Sequence, residues 1–334
     1  MVEAITQESI YEPVEEDLQA VIAEIVTIAD RAPENAPEQA ADLDAQLGHV
    51  LATPGKRVRP ALTLLASRLF DQGRGEMPIK MATAVELLHI ATLVHDDTVD
   101  HADTRRGHQT ASKLWGRNVA VLIGDFIFAT SAMYVCDTNN VRLVRRFAET
   151  ITELARGELN EIYTAWKPGV PLKDYNQRIY DKTASLFCTA AESGAVLGGG
   201  DERSVKNVRD YGYNIGMAYQ VYDDLLDYSA TSEELGKPAG HDLGEGILTL
   251  PAIIAAENGA SKAILALMNA QEEARADLLP RAVEAIKQSG ALEQTHKVAT
   301  DYIDTAIRSL DSIQTSESLD SLLSLAEYVQ TRNY

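Results

Sequence analysis

Cysteine is almost missing from this chain. The only two among 334 residues, Cys136 and Cys188, lie inside apolar helical patterns without metal-ligand spacing, which excludes a disulfide scaffold and a cysteine zinc site. Positive charge is scarce too. Thirty Lys and Arg face fifty Asp and Glu, for a net charge of -20, so neither nucleic acid nor an anionic membrane surface is expected as the main partner. Period-two runs of Val, Ile, Thr and aromatics are few, which excludes a large sheet. The longest apolar candidate, Val119 to Val135, is interrupted by Gly124 and Asp125, so no stable membrane insertion is expected. Met1 to Glu16 is acidic where a secretory signal would be basic and then apolar, which points to the cytoplasm. No Ser-His-Asp or Cys-His motif is recognisable, so nothing suggests a side-chain nucleophile.

What the chain does have is helical periodicity. Apolar residues recur three and four apart over long stretches, which predicts an all-α fold with helices near 14–31, 37–51, 58–70, 76–101, 117–137, 139–165, 172–199, 202–229, 245–258, 260–270, 273–289, 293–315 and 317–331. No linker divides it, so residues 1–334 are expected to form a single domain, with a motif-bearing core at about 50–260 and C-terminal helices over 260–334. Pro33 to Pro37, Lys167 to Pro171 and Gly198 to Gly200 read as turns. The longest non-periodic stretch, Ser229 to Gly246, carries Gly236-Lys237 and Asp242. A loop of that length in a compact helical chain is more often functional than idle.

Two aspartate motifs end apolar helices: Asp96-Asp97-Thr98-Val99-Asp100 and Asp223-Asp224-Leu225-Leu226-Asp227. Residues four apart share a helix face, so Asp96 projects with Asp100 and Asp223 with Asp227. Two carboxylates about 6 Å apart repel by roughly 3 kcal/mol at an effective dielectric near 20, and each pair therefore wants a cation. Oxygen-only ligands on helices suit Mg²⁺, which keeps several waters and shares itself with substrate phosphates. One such motif can arise by chance among fifty acidic residues. Two, each behind an apolar run (Met81 to Val94 and Ile215 to Val221), make chance the minor explanation.

Basic residues complement them. Gly55-Lys56-Arg57-Val58-Arg59-Pro60 and Arg105-Arg106-Gly107 stand out in so acidic a chain. Guanidinium forks grip phosphate oxygens in pairs and lysine supplies a point charge. An isolated Lys-Arg run more often makes ordinary surface ion pairs, and only Arg105 and Arg106 gain weight from lying next to Asp100. His89 is two turns before Asp96 on nearly the same face, yet a lone histidine in an apolar helix is usually a core residue. Lys182-Thr183, Gln220 and Lys237 are individually weak signals.

Taken in order, these residues resemble the trans-type isoprenyl diphosphate synthases, or polyprenyl synthetases. The similarity runs through Gly55 to Pro60, His89, Asp96 to Asp100, Arg105 to Gly107, Gly124-Asp125, Lys182-Thr183, Gln220 to Asp227, Gly236-Lys237-Pro238 and Thr249-Leu250-Pro251. The resemblance implies a single helical bundle around a central cavity, commonly a homodimer. It implies that Lys56, Arg59, His89 and Arg106 hold the diphosphate of isopentenyl diphosphate, while Arg105, Lys182, Thr183, Gln220 and Lys237 contact an allylic diphosphate. Asp96, Asp100 and Asp223 would be the main Mg²⁺ ligands, supported by Asp97, Asp224 and Asp227. Asp96, Asp97, Asp100, Lys182, Asp223 and Asp224 would carry catalysis.

The implied reaction is head-to-tail condensation. Cationic groups stabilise charge on the departing diphosphate, the allylic C–O bond ionises, the alkene of isopentenyl diphosphate attacks, and a proton is lost. Two positions depart from the family pattern, Pro54 and Ile247, where glycine and lysine are frequent. In this family a bulky aromatic four or five residues before the first aspartate stops growth early, but Ala91 and Thr92 stand there. A product longer than farnesyl diphosphate is therefore expected, with Leu88, Ala84, Phe128, Met133 or Tyr134 as candidates for a lower floor. Geranylgeranyl diphosphate synthase is the alternative. A class I terpene cyclase would have a different second metal motif and lack Lys56, Arg59 and His89, while a non-catalytic helical subunit would have lost metal ligands.

Overall fold

The computed structural model describes residues 6–29, 40–52, 55–105, 107–229 and 239–331. Arg106, Lys237 with its neighbours Gly236 and Pro238, and Pro54 lie outside the described residues.

In chain order the helices are α1 (Gln7–Tyr11), α2 (Glu15–Ala29), α3 (Ala40–Leu51), α4 (Val58–Arg68), α5 (Glu76–Val99), α6 (Ala111–Trp115), α7 (Arg117–Asp137), α8 (Val141–Thr164), α9 (Leu172–Ile179), α10 (Ser185–Leu197), α11 (Glu202–Ser229), α12 (His241–Gly244), α13 (Leu250–Ala255), α14 (Ser261–Met268), α15 (Glu272–Gln288), α16 (Ala291–Ser309) and α17 (Glu317–Thr331). The expected all-α class holds. Among the described residues, strand pairing is confined to one hairpin, β1 (Thr104–Arg105) with β2 (His108–Gln109).

Three details differ from the periodicity reading. The stretch 172–199 is interrupted by a π-turn, Tyr180–Ala184. Helix α13 starts at Leu250, after Thr249 takes an extended conformation and with Pro251 in the first turn, where proline's missing donor does no harm. Short α1 and α6 are invisible to an eleven-residue window. By length and mean hydropathy alone, Glu76–Val99, Arg117–Asp137 and Leu250–Met268 are also long and apolar enough to cross a membrane, at 1.4, 1.9 and 1.2. Charged and polar residues interrupt all three, so none is a continuous apolar run in the sequence.

The chain clusters into two compact units. One comprises Met1–Ala148, Thr189–Val208 and Ile313–Leu322; the other comprises Glu149–Cys188, Arg209–Ser312 and Leu323–Tyr334. In the first, α5 is apolar nearly all round and is buried accordingly, with Met81, Ala84, Val85, Leu87, Leu88 and Ala91 almost fully inaccessible. Glycines set how closely α10 approaches α4. A Cβ on Gly194 would stand 2.2 Å from the Thr63 carbonyl oxygen, and one on Gly198 would stand 2.3 Å from that of Ser67, so the backbones touch where no side chain fits.

In the second unit, Gly216 of α11 lies against Ala184 and Phe187, and Gly157 of α8 against the backbone at Asp181 and Lys182. Both glycines seat the π-turn. Asp181, fully buried there, accepts from Arg156 Nε at 2.8 Å and from Gln177 Nε2 at 3.0 Å. Trp166 takes a left-handed conformation (φ 60), donates its amide to the Gly246 carbonyl at 2.9 Å, and lies with its ring 3.4 Å from the Arg275 guanidinium. Gly246, itself left-handed at φ 78, leaves room for that ring, since a Cβ there would stand 2.4 Å from it.

Candidate active site

The first aspartate motif occupies the last turn of α5. Its helix ends in a Schellman cap: His101 is left-handed (φ 57) and the Ala102 amide donates to the Asp97 carbonyl at 3.0 Å. The chain then turns into the β1–β2 hairpin, and Arg105 Nε donates to Asp97 Oδ1 at 2.7 Å. Consecutive helical residues point about 100° apart, and the two carboxylates have different surroundings. Asp97 is buried, Asp96 is half-buried and Asp100 is exposed. Before the motif, His95 packs against α7 at Gly124, where a Cβ would stand 2.3 Å from His95 Nε2. That close approach gives Gly124-Asp125 a physical role.

The Lys56 to Pro60 segment begins α4 with Arg57 in the left-handed region (φ 50). Arg57 Nη1 donates to Glu86 Oε1 at 2.5 Å, and Glu86 is buried in α5. Arg59 Nη1 lies 3.3 Å from His89 Nε2. Guanidinium can only donate, so that contact requires an unprotonated Nε2 on His89. Two residues assigned to the same diphosphate are thus adjacent in the structure. Ala91 and Leu88 are buried in α5, while Thr92 is half-buried with its hydroxyl donating to the His89 carbonyl at 2.8 Å. Of the floor candidates on α7, Met133 is exposed and Tyr134 donates its hydroxyl to Glu24 at 2.6 Å.

In the second unit, Thr183, Gln220 and Asp224 form one relay. Thr183 Oγ1 donates to Gln220 Oε1 at 2.7 Å, and Gln220 Nε2 donates to Asp224 Oδ1 at 3.0 Å. Tyr175 hydroxyl donates to Asp224 Oδ2 at 2.6 Å. Asp224 is buried, and desolvation pushes its carboxyl up to about 7, with Tyr175 and Gln220 pulling the other way. Asp223 is half-buried. Asp227 accepts from the backbone amides of His241 at 3.0 Å and Asp242 at 3.3 Å, so it caps the start of α12. Lys182 pairs with Glu161 and, at 3.2 Å, with Glu158. Ile247 donates its amide to the Asp242 carbonyl at 2.8 Å.

Several of these partners escaped the sequence reading. Glu86, Glu158 and Glu161 sit three, four or seven residues from apolar positions like any helix-surface acid. Tyr175 and Arg178 looked like ordinary residues of a polar helix. Arg178 is buried, donates to the Leu248 carbonyl at 2.7 Å and lies 5.8 Å from the Tyr175 ring.

As for metal, among the described residues no group of three His, Cys, Asp or Glu side chains is arranged as a cage. The donors are carboxylate oxygens on helix ends, some open to solvent. Each motif by itself fits a hard divalent cation that keeps waters and is completed by phosphate oxygens.

Residues 41–286 match the family model described as polyprenyl synthetase. The chain belongs to the polyprenyl synthetase family. This family member is 37% identical over 286 residues to heptaprenyl diphosphate synthase component 2 of Geobacillus stearothermophilus, covering 86% of this chain and 88% of that one. It is also similar to a decaprenyl diphosphate synthase from Rhodobacter capsulatus, at 34% identity and a TM-score of 0.88 over 98% of this chain and all of the other. A Caulobacter crescentus polyprenyl synthase complexed with calcium and isoprenyl diphosphate matches at the same identity and TM-score, covering 98% of each chain. The fold is the all-α isoprenoid synthase fold, and the chain is a prenyl-transferring enzyme of a family that works with a divalent metal.

Proposed function

We propose that this polyprenyl synthetase condenses isopentenyl diphosphate head-to-tail with an allylic prenyl diphosphate, giving a trans-polyprenyl diphosphate longer than farnesyl. The observation that carries the reading is the pairing of two carboxylate motifs with two separate basic sets. Arg59 and His89 are adjacent, while Lys182 stands next to the Thr183–Gln220–Asp224 relay and Arg105 pairs with Asp97. Two diphosphate-binding sets call for two diphosphate substrates, which is elongation rather than cyclisation.

In this reading the metal is Mg²⁺, with Asp96 and Asp100 as ligands in the first motif and Asp223 as ligand in the second. Bound there, it would neutralise charge on the departing diphosphate. Lys182 and Arg105 bind the allylic diphosphate and leave their present carboxylate partners, at least in part, to do so. Thr183 and Gln220 orient it. Lys56, Arg59 and His89 hold isopentenyl diphosphate, His89 by its Nε2 side only when Arg59 turns to the ligand. Arg106 and Lys237 join these two sets.

Small Ala91 and Thr92 support growth beyond fifteen carbons, since neither reaches far from the α5 backbone. The homodimer reading is supported by apolar side chains left exposed along α7 (Leu122, Phe126, Met133) and α8 (Val141, Leu159, Ile162), the kind of surface a second copy can cover.

The test is incubation with Mg²⁺, labelled isopentenyl diphosphate and a farnesyl or geranylgeranyl primer, followed by product sizing. Incorporation into products above fifteen carbons is expected. No incorporation with any primer refutes the reaction; product stopping at fifteen carbons refutes only the length.

A further inference from the structure

The family match begins at residue 41, yet one element before it reaches into the site. Helix α1 carries Gln7 and Tyr11 on one face, and both side chains donate to the same backbone oxygen, the carbonyl of Lys56: Gln7 through its amide nitrogen and Tyr11 through its hydroxyl at 2.8 Å. A carbonyl has two lone pairs, and these two donors use both. The helix that delivers them is itself fixed. Thr6 and Ser9 form a reciprocal capping box at its start, and Ile10 and Tyr11 are buried.

The oxygen they hold belongs to a strained peptide. Arg57, the next residue, is a non-glycine in the left-handed region, a conformation that costs about 1 to 2 kcal/mol. It persists because contacts hold it from both ends. Arg57 reaches Glu86 on α5, while α1 holds the Lys56 carbonyl. Rotation of the Lys56–Arg57 peptide would swing the Lys56 side chain and shift the first turn of α4, from which Arg59 reaches His89.

We propose that α1 is a positioning element for isopentenyl diphosphate, with Tyr11 and Gln7 as positioning residues that fix the Lys56 peptide so that Lys56 and Arg59 meet one diphosphate. This rests on the function proposed above. It assigns a role to a segment outside the matched family residues, and it predicts a substrate-selective defect: the isopentenyl diphosphate side of the reaction depends on α1 and the allylic side does not.

The test uses Tyr11→Phe, Gln7→Ala and the double variant of the full chain, with each substrate varied separately, direct calorimetric binding of isopentenyl diphosphate, and thermal melting. Each single change should raise KM for isopentenyl diphosphate about two- to tenfold, the range expected for one lost hydrogen bond, and the double change more than either. KM for the allylic diphosphate and kcat should stay within about twofold. Gln7→Glu, which sets an acceptor against the carbonyl, should raise KM for isopentenyl diphosphate beyond Gln7→Ala. Because Gln7 is half-exposed, its variants keep the test decisive if removal of the buried Tyr11 hydroxyl impairs folding. An unmoved KM for isopentenyl diphosphate, or a fall in melting temperature with both KM values rising together, overturns the proposal. An inactive wild type overturns the functional reading instead, whereas an active wild type with unmoved variants overturns this inference alone.

Discussion

At the residue scale, the two motifs use their aspartates unequally. Asp97 faces Arg105 and Asp224 faces Tyr175 and Gln220, both buried, whereas Asp96 and Asp223 are partly open. Asp96→Ala is therefore expected to abolish turnover while leaving far-ultraviolet circular dichroism unchanged; full activity in that variant refutes its assignment as a metal ligand. Asp224 makes a prediction about pH in the metal-free protein. Its carboxyl is raised from 3.8 to about 7 in the folded state, so between those values the folded chain holds a proton the unfolded chain has released. Stability from this group is complete below about pH 4 and is lost as pH rises through about 7. Melting temperature should therefore fall less steeply over that window in Asp224→Asn than in wild type, and parallel curves would show that Asp224 does not titrate there. Breaking the Arg57–Glu86 pair is the third case. Arg57→Ala strands a buried carboxylate and should cost about 3 kcal/mol in denaturant unfolding. The aspartate motifs were legible in the sequence because their spacing places paired carboxylates behind apolar helical runs, whereas Lys56, Arg59 and Gln220 gained a role only through the family resemblance. Tyr175 and Glu86 were not, because each becomes a partner only when a segment about thirty to fifty residues away folds against it.

At the scale of elements, helix existence was legible and helix ends were less so. Continuous apolar periodicity marked α5, α7 and α11, but the π-turn at Tyr180–Ala184 leaves no mark on an average over a window. It matters because Lys182 and Thr183 are on it, and an extra residue in the turn rotates both relative to α9. Glycines also acquire meaning here. Gly194→Ala pushes a methyl into the Thr63 carbonyl and should destabilise the protein by about 1 to 3 kcal/mol. Gly48→Ala in α3 meets nothing within 4 Å and should stabilise by up to about 1 kcal/mol through helix propensity. Chemical denaturation of the two variants side by side checks both signs, and equal effects would mean that close α4–α10 approach is not what selects Gly194.

For the whole molecule, the all-α class followed from the absence of strand patterns and from period-3.6 patterning that covers almost the full length. The clustering into two units was not legible, since the boundaries at Ala148, Cys188 and Val208 fall inside α8, α10 and α11, where no change of composition marks them. Product length and assembly are properties at this scale. Ala91→Phe should shorten the product while retaining incorporation of isopentenyl diphosphate, as read by chain-length analysis, and an unchanged distribution would remove Ala91 from the growth path. Leu122→Asp with Met133→Asp should halve the mass measured by light scattering if α7 forms the dimer face; an unchanged mass would exclude it.

The Trp166 arrangement has a practical consequence. The chain has two tryptophans, and they fall one to each unit: Trp115, edge-on to His49, in the first, and Trp166, stacked on Arg275, in the second. Each unit thus carries its own built-in fluorophore with its own distinct neighbour, an imidazole beside Trp115 and a guanidinium over Trp166. Replacing either tryptophan with phenylalanine leaves a single emission signal, so the unfolding of each half of the molecule can be followed without attaching a label.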